Sequence, residues 1–152
     1  MRDDVKNLFS ELYNLTSKKL DALQEISSAE AQKKFCLDTG KLDDLLGLIE
    51  KDSDAINGIN SLDCDIRKLE GEICGIIGIH GGEFPGFIMK RKEKPIADLK
   101  NKIYDINKLL KNLIKSREEL AERMDLKLND IDKDIKSICQ VRKLKKALRQ
   151  FD

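Results

Sequence analysis

The chain lacks several residue types on which compact enzymes commonly depend. It has no tryptophan, two prolines and one histidine in 152 residues, and aromatic residues make up 5 % of it. Charged residues, in contrast, make up 38 %. This composition disfavours a β-sandwich or an α/β enzyme and is typical of long helices in water. The length suits one domain or one elongated bundle.

An excess of one charge and a long apolar run are also absent. Lys and Arg number 29 against 28 Asp and Glu, which gives a net charge of +1. Bulk charge therefore gives no reason to expect a nucleic-acid partner. No apolar run approaches the ~18 residues of a membrane span, and no charged-then-apolar leader opens the sequence. We expect a soluble protein that is not exported and has no membrane partner.

Cysteine is present, but it does not form a metal-binding or redox motif. The four cysteines lie far apart and none belongs to a C-x-x-C pair: Cys36, Cys64, Cys74 and Cys139. With His80 as the one histidine, a zinc site would need several scattered thiolates to converge. The alternative is four half-buried helical residues that act as small hydrophobes. We expect no metal and no cofactor, and free thiols favour a reducing cytoplasm.

Carboxylates and glycines form no recognisable catalytic arrangement. Residues 130–134 read D-x-D-x-D, as a calcium loop does, but the loop's sixth position would be Ile135 instead of Gly. Its twelfth position would be Val141 instead of Glu. The glycine-rich residues 78–86 lack the G-K-[ST] ending of a phosphate loop. We predict that the protein is not an enzyme.

The last third of the chain carries the clearest pattern. Apolar residues over 96–124 alternate in steps of three and four, which is a heptad repeat with apolar a and d positions. Arg117 fills one slot, where it is either buried and paired or faces water at an opening in the bundle. The other slots hold Ile96, Leu99, Ile103, Ile106, Leu110, Leu113, Leu120 and Met124.

The same stripe continues to residue 148 with its seam shifted by about one residue. No Gly or Pro follows Pro95, so we predict one helix over about 95–150, roughly 80 Å long, that needs long helices beside it. The continuation consists of Leu128, Ile131, Ile135, Ile138, Val141, Leu144 and Leu148.

Two further helices and a loop precede this segment. The first predicted helix covers about 3–37, and its stripe slips between Leu15 and Leu20, so it is one bent helix or two. The second covers about 41–78. Residues 78–94 are predicted as a Gly-rich loop. The predicted fold is all-α: an elongated antiparallel helical bundle or coiled coil of about three long helices, the C-terminal one longest, in a single helical domain over 1–152.

Four glycines lie inside the second predicted helix. Each costs about 1 kcal/mol relative to Ala in a helix interior. They either allow close approach of another helix or occupy surface positions, and we favour the surface. They are Gly47, Gly58, Gly71 and Gly75.

The C-terminal residues 141–152 combine a narrow apolar edge with a dense positive charge. Such a helix suits an acidic protein partner, an anionic membrane or nucleic acid. Alternatively, its cations only complement the helix dipole. We predict a partner-binding site made of Val141, Arg142, Leu144, Lys145, Leu148, Arg149 and Phe151.

Three segments resemble the FlgN family of flagellar type III export chaperones. Residues 12–20 (LYNLTSKKL) resemble its first-helix pattern of leucines around a Lys. Residues 39–49 (TGKLDDLLGLI), with Ile56, Ile59 and Leu62-Asp63 after them, resemble its second helix. Residues 138–151 (ICQVRKLKKALRQF) resemble its basic tail, which closes on an aromatic residue.

The resemblance implies a cytoplasmic chaperone. It would hold the helical ends of hook-associated (hook–filament junction) proteins with its C-terminal helix and deliver them to the flagellar export apparatus, without chemistry and without ATP. Two alternatives stay open: a structural coiled-coil adaptor that forms a homo-oligomer, and a basic-tailed protein associated with nucleic acid. The long seam alone fits all three.

Overall fold

The chain folds into α-helices joined by short connections. The computed structural model describes residues 2–149, apart from the Arg149 side chain. The helices are α1 (Asp3–Ser28), α2 (Glu30–Asp38), α3 (Leu42–Ile77), α4 (Phe84–Lys90) and α5 (Lys94–Arg149), with a 3-10 turn at Gly81–Glu83. No strand occurs over the described range, which agrees with the all-α prediction.

Two compact units divide the chain. The first contains the residues up to Ile114, which include α1 to α4 and the beginning of α5. The second contains the residues from Lys115 on, which belong to the remainder of α5. The single helical domain over 1–152 that the sequence predicted stays a prediction. Each unit is therefore described by itself.

The first predicted helix is divided at Ala29. The hydroxyl of Ser28 donates a hydrogen bond to the carbonyl of Glu25 (2.8 Å) in the last turn of α1, a local bond of the kind that competes with the helical pattern. The Ala29 N–H donates to the carbonyl of Ile26 (3.3 Å), three residues back, as in a tightened last turn. The stripe weakens here as well, because no large apolar residue lies between Ile26 and Phe35.

The segment 78–94 is more ordered than the loop that the sequence predicted. It contains the 3-10 turn and α4, because Phe84, Phe87 and Ile88 recur at helical spacing and bring one face of a short helix to the core. Pro85 lies at the start of α4, where a missing N–H costs no helical hydrogen bond. The glycines end α3 without preventing this next helix.

One core cluster of the first unit surrounds Phe9. The ring of Phe9 is fully buried and stacks against Phe84, with ring centroids 6.3 Å apart, and against Phe87, at 6.5 Å. Side chains of α1, α3, α4 and α5 meet here, so α4 is part of the core. The other buried members are Val5, Leu12, Leu69, Ile73, Cys74, Ile88, Ile96 and Leu99.

A second core cluster lies further along the same helices. Between α1 and α3, Lys19 and Asp63 form an ion pair of 2.8 Å whose side chains are about one quarter exposed. Burial of Ile106 and Leu113 confirms two further seam positions that the heptad pattern predicted. The buried residues of this cluster are Leu20, Leu23, Ile26, Ile59, Ile106 and Leu113.

A buried ionic cluster joins α2 to α3. Lys33 is only 2 % exposed, donates to Glu30 Oε1 at 2.8 Å and also pairs with Asp52. Both carboxylates belong to residues that are 7 % exposed. Because two carboxylates share this ammonium group away from water, its removal would leave buried negative charge without its cation.

The glycines of α3 occupy open surface. A Cβ atom at Gly58 or Gly75 would meet nothing within 4 Å, and the same holds for Gly47 and Gly71. This supports the surface interpretation and gives no sign of a close helix approach. Gly78 differs, because its φ of 83° is left-handed and it caps α3.

The glycines of α3 give a first prediction. Gly75→Ala should raise the free energy of unfolding by about 0.5–1 kcal/mol, because alanine is the better helix former and meets no neighbour. Gly78→Ala should lower it by roughly 1–2 kcal/mol, because alanine is strained in the left-handed conformation. Urea unfolding followed by circular dichroism measures both, with Gly58→Ala as a second open position. Destabilisation by Gly75→Ala would reveal a close neighbour at that surface.

The ionic cluster gives a second prediction. Lys33→Met should lower the free energy of unfolding by about 3–5 kcal/mol, because it leaves two buried carboxylates without their cation. The triple variant Lys33→Met, Glu30→Met, Asp52→Leu should recover most of that loss, since it removes the buried charge altogether. Lys18→Met on the exposed face of α1 is the control, with a change below about 0.5 kcal/mol. Equal losses for the single and triple variants would contradict the pairing.

Candidate partner-binding surface

The second unit carries a row of exposed apolar side chains. Buried seam positions recur along α5 as far as Leu120, which is 7 % exposed, and Met124 is half-buried. Ile103, which the sequence also predicted in the seam, is 37 % exposed. From Leu128 on every apolar position of the seam is exposed, from 48 % at Ile131 to 69 % at Leu148. We call this row the C-terminal stripe: Leu128, Ile131, Ile135, Ile138, Val141, Leu144 and Leu148.

The sequence predicted Leu128, Ile131, Ile135 and Ile138 to continue the packed seam, and here the structure corrects it, because all four are exposed. The helix itself is as predicted, because Leu, Lys, Arg, Gln and Ala are good helix formers and no Gly or Pro intervenes. The difference is that these side chains are exposed instead of packed against other helices. Exposed apolar patches rimmed by polar residues mark interaction sites in soluble proteins.

Charge is segregated along the stripe. Residues 125–134, which we call the acidic block, contain four aspartates and two lysines. Residues 136–149, the basic block, contain six cations and no acidic residue. The cations of the basic block are Lys136, Arg142, Lys143, Lys145, Lys146 and Arg149.

The predicted site residues fall at the basic end of this surface. Val141, Leu144 and Leu148 are 50, 65 and 69 % exposed, and Arg142 and Lys145 are exposed beside them. The backbone of Arg149 ends α5, and Phe151 lies outside the described residues. The exposure of these side chains is compatible with binding a partner. Their role as a partner-binding site stays a prediction.

Sequence reasoning missed the other half of the surface. Ile131, Ile135 and Ile138 were assigned to a packed seam, yet each is about half exposed. Arg117 is exposed too, which favours the interpretation that it faces water. A charge in an apolar slot was one signal that the seam is not closed along its whole length.

A second exposed apolar surface lies in the first unit, between α3, α4 and α5. It is a groove of about 370 Å³ in which Met89 and Tyr104 are 71 and 67 % exposed. Lys100 fixes its edge, because its ammonium group donates to the carbonyl of Arg91 (2.6 Å) just after α4. Partial burial raises the pKa of Glu70 at this groove, although the charges of Lys19 and Arg67 oppose the shift.

A third apolar patch lies where α3 begins. Phe35, Leu42 and Leu46 are 56, 56 and 55 % exposed, and the Lys41 ammonium lies 5.3 Å from the centre of the Phe35 ring. In the structure Leu45 is the buried leucine of this turn. The start of α3 carries leucines on two of its faces, and the face that carries Leu45 is the buried one.

The groups that could support metal or thiol chemistry are dispersed. The part of the chain that the structure describes holds no group of three or more His, Cys, Asp or Glu able to bind a metal ion. Cys36 and Cys74 are buried, Cys64 and Cys139 are exposed, and burial raises the pKa of the Cys74 thiol. The four cysteines are therefore not uniformly half-buried, as the sequence suggested. Within residues 2–149, no helix is long and apolar enough to cross a membrane.

Comparison of the chain with protein-family models, with curated proteins and with solved structures found no match. The resemblance to the FlgN family therefore stays an expectation from the sequence.

The contrast between covered and uncovered seam positions gives a third prediction. Leu113→Asp should destabilise the first unit by more than about 4 kcal/mol, because it buries an unpaired carboxylate. Leu144→Asp, at a side chain that is 65 % exposed, should change that stability by less than about 0.5 kcal/mol. Urea unfolding followed by tyrosine fluorescence measures this directly, since Tyr13 and Tyr104 both belong to the first unit. A large loss in Leu144→Asp would show that the stripe is core.

Proposed function

We propose that the protein is a cytoplasmic export chaperone. It binds the helical ends of hook-associated (hook–filament junction) proteins on the C-terminal stripe and delivers them to the flagellar type III export apparatus. The observation that supports a docking role is the row of half-exposed apolar side chains from Leu128 to Leu148. The clients and the export apparatus come from the resemblance to the FlgN family. An elongated antiparallel bundle of about three long helices is part of the same proposal.

The stripe has the chemistry that an amphipathic helix needs in a partner. Two helices associate by burying apolar side chains at recurring positions three and four residues apart. Each additional ~40 Å² of apolar surface that a client covers is worth about 1 kcal/mol at 25 cal/mol per Å². Several half-exposed side chains acting together therefore give enough energy for a reversible complex, after the loss of translational and rotational freedom.

The basic block would select the client. Arg142, Lys145 and their neighbours flank the apolar positions with charge of one sign. Such charge steers an acidic partner toward the surface and affects the rate of association more than the final affinity. Masking an exposed apolar helix face prevents its premature association and requires no bond to be made or broken. A nucleotide is not needed for that step.

The second candidate function is a structural coiled-coil adaptor. It is favoured by the same exposed stripe, since assembly with further helices would also cover it. The two functions differ in what the stripe is for. An adaptor requires it for a stable assembly, whereas a chaperone exchanges clients on it.

The fourth prediction tests the docking role. Wild-type protein should bind peptides of the terminal helices of the source organism's hook-associated proteins in isothermal titration calorimetry. Ile138→Asp and Leu148→Asp should each weaken binding at least about tenfold, because a carboxylate must then be desolvated in the contact. Ser61→Asp is the matched control, because it adds the same charge at an exposed position of α3, outside the stripe.

Two results would contradict the proposal. Failure of the wild type to bind any of these helices would remove the proposed clients. Equal affinity of wild type and Ile138→Asp would remove the stripe as the docking surface.

A further inference from the structure

α2 is attached to the rest of the first unit through few apolar side chains. Its buried residues are two charged and two apolar ones: Glu30, Lys33, Cys36 and Leu37. Among the described residues, neither core cluster includes a member of α2. Buried ion pairs contribute little net stability, because desolvation of the charges offsets their attraction. The free energy that holds α2 in place is therefore smaller than the free energy that holds the two core clusters together.

Both ends of α2 are breaks in the helical backbone. At its start, Ala29 interrupts the helix between α1 and α2. At its end, Gly40 has a left-handed φ of 72°, and the Lys41 N–H donates to the carbonyl of Cys36 (2.8 Å). A helix between two such connections can move as a unit, because backbone rotation at a few residues absorbs the change.

The contact between α2 and α3 is also incompletely packed. A cavity of about 410 Å³ lies beside the ionic cluster of Lys33, and its lining includes Gln32 of α2 together with Leu48 and Asp52 of α3. Well-packed interiors contain few voids larger than a water molecule. Since atoms that line a cavity lack partners on one side, separation of α2 from α3 along this side breaks few further contacts.

We propose that α2 is a latch that opens from α3 as a unit, with Ala29 and Gly40 as its hinges, while both core clusters stay folded. The ionic cluster holds the latch closed, because opening separates Lys33 from Asp52 of α3. Glu30 moves with Lys33, since both belong to α2. The inference goes beyond the proposed function and does not rest on it, because it concerns the first unit alone.

Opening would change how much apolar surface this part of the first unit exposes. In the closed form Cys36 and Leu37 are each 3 % exposed, whereas Phe35 of the same helix is 56 % exposed. Once released from α3, α2 would present all three side chains. A partner that binds the open form better than the closed form would shift the equilibrium toward it. The latch therefore makes the exposed apolar area of this region variable.

Thiol labelling of Cys36 tests the opening, with Cys74 of the core as internal reference. Both thiols are buried, at 3 and 6 % exposure, and the exposed Cys64 and Cys139 are replaced by serine. Alkylation by iodoacetamide is followed by mass spectrometry of peptides, and each rate is divided by the rate in the urea-unfolded chain. Cys36 should react at least about tenfold faster than Cys74, because local opening requires less free energy than unfolding of the core.

Core variants distinguish local opening from global unfolding. Ile96→Val should raise the Cys74 rate about 2–12-fold and leave the Cys36 rate unchanged, because the core is intact when the latch opens. Ile106→Val, in the second core cluster, should act in the same way. The Cys36 rate should also depend less on urea, since opening exposes less surface. Equal acceleration of both thiols would show that Cys36 reacts only after global unfolding, and would overturn the inference.

Charge variants test the ionic cluster as the latch. Lys33→Met should raise the Cys36 rate at least about tenfold, because it leaves two buried carboxylates without their cation in the closed form. Asp52→Asn should raise it by a smaller factor, since Glu30 still pairs with Lys33, and it gives the same test if Lys33→Met does not fold. Lys18→Met is the control and should change neither rate. A Cys36 rate that is unchanged in the cluster variants would overturn the role of the ionic cluster.

Discussion

The length of the apolar stripe on α5 that other helices can bury decides which part of this helix is core and which part is exposed surface. α5 has 56 residues, whereas α3 has 36 and α1 has 26. A stripe that runs along the whole of α5 exceeds what one neighbouring helix of this chain can bury. In the first unit Ile96, Leu99, Ile106 and Leu113 are buried in core clusters. From Leu128 on, the same kind of side chain lies exposed. Hydrophobic burial drives folding and association alike, so the uncovered length is the part of the molecule available for a partner.

The covered part shows what a periodic pattern can predict. The heptad spacing identified α5 and most of its buried positions, though not the exposed Ile103, because a period near 3.5 follows from helix geometry alone. The same reasoning failed for α4, since Gly81 and Gly82 before it and Gly86 within it signalled a loop more strongly than three apolar residues signalled a helix. Phe9 explains the outcome, because two rings of this segment stack against it. A contact between residues this far apart in the chain is invisible to a local pattern. The cluster around Lys33 was missed for the same reason, as its two carboxylates lie on different helices.

The candidate surface was only half predictable. The cations near the chain end drew attention to Val141, Leu144 and Leu148, and these residues are indeed exposed. Ile131, Ile135 and Ile138 have the same spacing as the buried seam residues, so spacing could not distinguish them. Spacing indicates only that one face of a helix is apolar. Whether another element of the same chain covers that face depends on the lengths of all the helices together. Charge segregation, in contrast, can be read from the sequence, since four aspartates precede six cations with one isoleucine between the two blocks.

The composition of the stripe favours a reversible contact over a permanently packed seam. A permanently packed helix would gain from an uninterrupted apolar seam, whereas here cations flank the apolar positions closely toward the end of α5. Charges beside an apolar contact raise the rate of encounter while adding little to the final affinity. Helices that dock on such a surface compete for the same side chains, so selectivity follows from the difference between their affinities.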